Sequence, residues 1–94
     1  MLYTISYDFS GDDKERESLE DAINSCGTAI RSLESTWLLL SDLTAAQIRI
    51  NIEKSVSSSL YCLITEVTGK NNAWSLAASR GVKDWRTVNN VEMC

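Results

Sequence analysis

A chain of 94 residues has the length of a single domain, with one modest core and little room for a deep enclosed pocket. Apolar residues make up 44% and charged residues 23%, which excludes wholesale disorder, and the net charge of −4 works against broad electrostatic binding to nucleic acid. No histidine is present, so a Ser-His-Asp triad, a Cys-His pair, His-ligated zinc and His-ligated haem are excluded; any general base must be a carboxylate, Lys, Tyr or Cys.

Leu2–Phe9 alternates, with Tyr3, Ile5, Tyr7 and Phe9 on one face and Thr4, Ser6 and Asp8 on the other, the pattern of a strand with one apolar face. Ser10-Gly11-Asp12 breaks it. Asp12 with Glu15 three residues on reads as a helix start, and acidic residues in a first turn suit the helix dipole. Leu19, Ala22, Ile23 and Cys26 keep helical spacing, and Gly27 is a stop. A second strand region covers about Ala29–Ser41, with a polar stretch at Arg31–Thr36 that suits a bulge or bend between two halves. Thr44 with Gln47 forms a capping box, and Leu43 with Ile48 a hydrophobic staple. The helix that follows is expected to run to about Val56, burying Ala45, Ile48, Ile52 and Val56. Ser57-Ser58-Ser59 is a loop, Leu60–Val67 a strand and Gly69-Lys70-Asn71-Asn72 a turn. In the tail, Trp74–Ala77 reads as a short strand, and Val82, Trp85 and Val88 have the spacing of a short helix.

The expected fold is therefore α+β and ferredoxin-like, a βαββαβ-type antiparallel sheet with two helices on one face. Residues 1–70 form the core, and 71–94 a C-terminal extension that packs on the core or on a dimer mate. The opposite sheet face is left open, and self-association is an economical way to cover it.

The longest strongly apolar run, Trp37–Leu40, is far short of the ~20 residues that span a bilayer, and Tyr3, Ile5 and Asp8 do not read as a signal peptide. Cys26, Cys62 and Cys94 are odd in number and widely spaced, which points to reduced thiols and a cytoplasmic protein. Charge is uneven: residues 1–47 hold three basic and nine acidic residues, a balance of −6, and residues 48–94 six basic and four acidic, a balance of +2.

Asp8 is the leading candidate for chemistry. A carboxylate at a strand end can bind a hard divalent cation with help from water and partner carboxylates, and a dimer that pairs two copies of Asp8 makes the better ligand set. The alternative is that Asp8 caps the turn by accepting from Ser10 or Gly11 backbone N–H groups. Asp12, Asp13, Glu15, Glu17, Glu20 and Asp21 make the first helix acidic, either as a solvated face or as a surface for a basic partner. Arg49, Lys54, Lys70, Arg80, Lys83 and Arg86 could contact phosphate, and Trp74 and Trp85 could stack on bases or pack against the core or a second subunit. Ser35, Thr36 and Tyr7 are nucleophiles only beside an activating base, and none is visible in sequence. The glycines form no dinucleotide- or phosphate-binding spacing.

Leu2–Phe9 followed by Asp12-Asp13-Lys14 and Arg16 resembles the opening of the CRISPR-associated Cas-two family, in which an apolar strand ends in Tyr-Asp and enters a polar helix start. Ser35-Thr36-Trp37 resembles the Ser-x-aromatic step of that family's second strand, and Thr44-Ala45-Ala46-Gln47 falls where its second helix begins. Virulence-associated protein D shares the layout. Short bacterial and phage proteins labelled "SinR family" are more similar still, through Ile5–Asp8, Ser35–Trp37 and a tail containing Trp74 and Trp85. The resemblance spans roughly residues 1–68.

It implies a symmetric homodimer in which the strand-end acid, Asp8 here, faces its mate and holds magnesium for phosphodiester cleavage of RNA or DNA. It also implies contacts to nucleic acid from Lys14, Arg16, Arg31 and Ser35. Leu38 departs from the family, which carries an acidic or polar residue after the strand-two aromatic, and the acidic net charge departs from its basic members. Many members of the superfamily act without catalysis as assembly modules. The competing expectation is accordingly an interaction module, of toxin–antitoxin or phage-defence type, that binds a protein partner through the acidic helix. No membrane partner is expected.

Overall fold

The computed structural model describes residues 1–57, 59–68, 85 and 89. Among them run β1 (Leu2–Phe9), α1 (Asp13–Ser25), β2 (Thr28–Leu33), β3 (Thr36–Leu40), α2 (Ala45–Glu53) and β4 (Leu60–Val67). The four strands make one sheet in the order β2-β3-β1-β4, and every neighbouring pair is antiparallel. This small α+β arrangement is compatible with a ferredoxin-like fold.

Alternation decides which side of β1 is buried. Tyr3, Ile5 and Tyr7 pack with Trp37 and Leu39 of β3, Leu19 and Ile23 of α1, and Ile48 and Ile52 of α2 in one core cluster. Both helices thus lie on the same sheet face. Ile5, Leu19, Ile23, Leu39, Ile48 and Ile52 are wholly buried. Inside the core, the Trp37 indole Nε1–H donates to the Tyr7 hydroxyl at 3.4 Å, so neither polar tip is stranded there.

The helix starts follow the sequence signals. Asp12 accepts from the Glu15 backbone N–H at 2.9 Å, and Thr44 and Gln47 form a reciprocal capping box, with bonds of 2.9 and 3.2 Å. Gly27 follows the α1 cap, and its backbone lies against the Leu40 carbonyl so closely that a Cβ would overlap it. Helix α2 ends at Glu53 rather than near Val56. Ser55 directs both its N–H (3.1 Å) and its hydroxyl (2.6 Å) at the Ile52 carbonyl, tightening the chain into a turn. Val56 still packs against the core from beyond the helix.

The Ala29–Ser41 strand region is two antiparallel strands, joined through Glu34 and Ser35, with a register shift between Arg31 and Leu33. The shift falls inside the Arg31–Thr36 stretch expected to bend, and Leu33 beside it is exposed. Ser41 closes the far end of the sheet. Its hydroxyl donates to the Cys26 carbonyl at 2.6 Å and accepts from Leu43 N–H at 3.0 Å, and its backbone bonds to Met1 on both sides at 3.0 Å.

The strand expected at Trp74–Ala77 and the helix expected around Val82 and Val88 lie outside the described residues. Trp85 is described: together with Leu2 and Ile30 it packs against Leu38 on the sheet face away from the helices, and its carbonyl accepts from Asn89 N–H at 3.0 Å. Its own indole nitrogen is buried without a hydrogen-bond partner among the described residues. No helix among the described residues is long and apolar enough to cross a membrane.

Candidate functional site

Even-numbered residues of β1 point away from the helices, and the strand delivers Leu2, Thr4, Ser6 and Asp8 to that second face in order. Leu2 sits at the end covered by Trp85; Asp8 sits at the opposite end and is exposed. Register completes the corner. Asp8 lies opposite Tyr61 of β4, and Ser6 lies between Thr36 of β3 and Leu63 of β4. Side chains directly opposite on an antiparallel pair have Cβ atoms ~4.5–5.5 Å apart, so Asp8 and Tyr61 are immediate neighbours on one face.

An open depression of about 450 Å³ lies over this corner. Asp8 carries its charge; Ser6, Ser35 and Thr36 contribute hydroxyls, and Tyr61 and Leu63 its apolar rim. The Ser6 and Thr36 hydroxyls are 3.4 Å apart. Ser35 is held there because its carbonyl accepts from the Tyr7 N–H at 3.1 Å. Tyr61 and Leu63 are 74% and 67% exposed, the most exposed large apolar side chains among the described residues. No described residue hydrogen-bonds or ion-pairs with the Asp8 carboxylate, so the turn-capping alternative is not the one adopted.

The residues expected at a nucleic-acid surface do not gather here. Ser35 lines the depression. Arg16 stacks over the Phe9 ring, 5.8 Å from its centroid, on the helix side. Arg31 points to that side too and pairs with Glu20 of α1 at 3.5 Å. Lys14 is exposed in the first turn of α1. The helix exterior keeps Asp13, Glu17 and Asp21 exposed.

Cys62 of β4 is half-buried beside the corner and unpaired with another cysteine. Burial pushes its thiol pKa up, Glu53 adds to the rise, and Arg49 opposes it. It is therefore a poor nucleophile at neutral pH.

The oxygen donors at the corner are those a hard cation takes, but one chain offers one carboxylate. Among the described residues no group of three or more His, Cys, Asp or Glu side chains could hold a metal ion. Magnesium is commonly bound through one or two carboxylates with water filling the other positions, so Asp8 fits it with water alone and two copies of Asp8 fit it better.

Tyr61 and Leu63 escaped the sequence reading. Both stand in a recognised strand, but placing them beside Asp8 needs the β1–β4 register, which no local pattern encodes.

No protein-family model and no curated protein matches the chain. Among solved structures, it is similar to a hypothetical protein from Thermus thermophilus, with 22% identity and a TM-score of 0.59, over 80% of this chain and 90% of that one. At that identity the likeness concerns the fold alone.

Proposed function

We infer that the chain is a ferredoxin-like protein of the Cas-two and virulence-associated protein D kind. It works as a homodimer and cleaves RNA or DNA with magnesium held between two Asp8 carboxylates. The observation that carries this reading is the Asp8 carboxylate itself, exposed, without a partner among the described residues and flanked by hydroxyls at the end of the sheet away from Trp85. Exposed Tyr61 and Leu63 beside it give a second copy an apolar surface to bury. A bound magnesium ion would polarise the phosphodiester and lower the pKa of the attacking water. The chain's own part is to hold the two acids at one seam and to line that seam with the hydroxyls of Ser6, Ser35 and Thr36.

The test is cleavage of labelled single-stranded RNA and duplex DNA with and without magnesium, together with sedimentation to give the mass in solution. Asp8→Asn should abolish magnesium-dependent cleavage. Cleavage that persists in the variant, or a strictly monomeric active protein, overturns the reading.

A second reading is a non-catalytic interaction module, favoured by the lack of a three-ligand metal cluster among the described residues and by the acidic exterior of α1. Charge reversal tests it best at Asp13, Glu17 and Asp21, because Glu20 is already engaged by Arg31. Loss of a captured partner on that reversal supports the module; undiminished capture counts against binding through α1.

A further inference from the structure

The Asp8 corner combines three features that the nuclease reading assigns to metal binding and dimerisation, and that together also suit a different occupant. Its carboxylate has no partner among the described residues, and none of the described ion pairs includes it. Tyr61, the residue directly across from it, is 74% exposed, and Leu63 two residues on is 67% exposed. Asp8 is also the one charged residue lining the depression among the described residues. An anion next to an exposed aromatic ring and an aliphatic side chain is complementary to a planar cation on an apolar stem. A guanidinium can lie over the ring face while its N–H fork meets both carboxylate oxygens, and its methylenes cover the leucine. The protein already makes the ring half of that contact internally, where Arg16 lies over Phe9. A polyanion is the poorer occupant, because the corner and the whole chain, at −4, carry the same sign.

The geometry points to the Asp8–Tyr61 corner as a docking site for an arginine side chain on a protein partner. The proposal rests on the interaction-module reading and relocates the contact from α1 to the sheet. It needs no metal.

The test uses the full chain, isotope-labelled, in a magnesium-free buffer containing EDTA. The probe is the blocked peptide acetyl-Gly-Leu-Arg-Leu-Gly-amide, and the control is the same peptide with neutral citrulline in place of arginine. Amide shifts on titration should centre on Asp8, Tyr61 and Leu63. The arginine peptide should bind about tenfold or more tightly than the citrulline one, since the exchange removes a charge-assisted fork. Asp8→Asn should erase that difference, and Tyr61→Leu should weaken arginine binding about two- to fivefold, with the remaining amides unmoved as a check on folding. Equal binding of the two peptides overturns the proposal. Shifts centred on α1 overturn it too but leave the interaction-module reading standing. A single-stranded oligonucleotide that moves the corner amides when the arginine peptide does not overturns it in favour of a nucleic-acid surface.

Discussion

Ser41→Ala removes one oxygen and strands two backbone groups. The Ser41 hydroxyl, on a residue 6% exposed, bonds the Cys26 carbonyl at 2.6 Å and the Leu43 N–H at 3.0 Å, joining the end of α1 to the segment that enters α2. The first bond is fully buried, so the orphaned carbonyl costs about 1–3 kcal/mol. The second is partly buried, and water can replace some of it, leaving about 0.5–1.5 kcal/mol. Together the substitution should lower stability by about 1.5–4.5 kcal/mol, a large share of the ~5–15 kcal/mol available to a typical domain. Equilibrium urea unfolding followed by circular dichroism measures this, with the slope m unchanged. Ser18→Ala is the control. Its hydroxyl makes an exposed 3.3 Å bond to the Lys14 carbonyl, and its effect should stay within about 0.5 kcal/mol. A Ser41→Ala loss no larger than the control's would refute the assignment of Ser41 as the tie at this end of the sheet.

Truncating Leu39, which is wholly buried, to alanine should cost about 2–5 kcal/mol, whereas Leu33→Ala, at an exposed position away from the Asp8 corner, should change stability by less than about 0.5 kcal/mol; urea midpoints decide between them. For Cys62, peptide-resolved iodoacetamide labelling at pH 8 should be slower in the native protein than in the urea-unfolded chain, because burial keeps the thiol protonated; equal rates would refute this. The same shift has a linked sign. The folded thiol has a pKa above its ordinary value of 9.0, so the stability it contributes is complete below that pH and is lost as pH rises through the folded pKa. Cys62→Ser should flatten that alkaline part of the stability profile.

Local patterns carried much of this architecture. The alternation of Leu2–Phe9, the Asp12 and Thr44 caps and the apolar spacing of α1 depend on residues within a few positions of one another, and each appears in the structure as read, whereas α2 keeps Ile48 and Ile52 but stops at Glu53, short of Val56. Leu33 shows where such reading stops. The strand region and a bend within Arg31–Thr36 were readable, but not that Leu33, beside the register shift, is left exposed. The candidate site divides in the same way. Asp8 was legible because it ends an alternating strand before a Ser-Gly turn, whereas Tyr61, Leu63 and Thr36 reach it through pairings 30 or more residues apart. The resemblance grouped Arg16 and Arg31 with Lys14 as nucleic-acid contacts, yet the fold places one over an aromatic ring and pairs the other with Glu20.

The central place of β1, between β3 and β4, also bears on how the chain is made. On the ribosome β1 is synthesised well before either neighbour, and its second flank arrives only with Leu60–Val67. At ~5–20 residues per second, translation leaves the segment without both neighbours for about 3–10 s. The β4-facing edge of β1 therefore keeps its backbone groups unpaired after α1, β3 and α2 have already been made to cover its Tyr3, Ile5 and Tyr7 face.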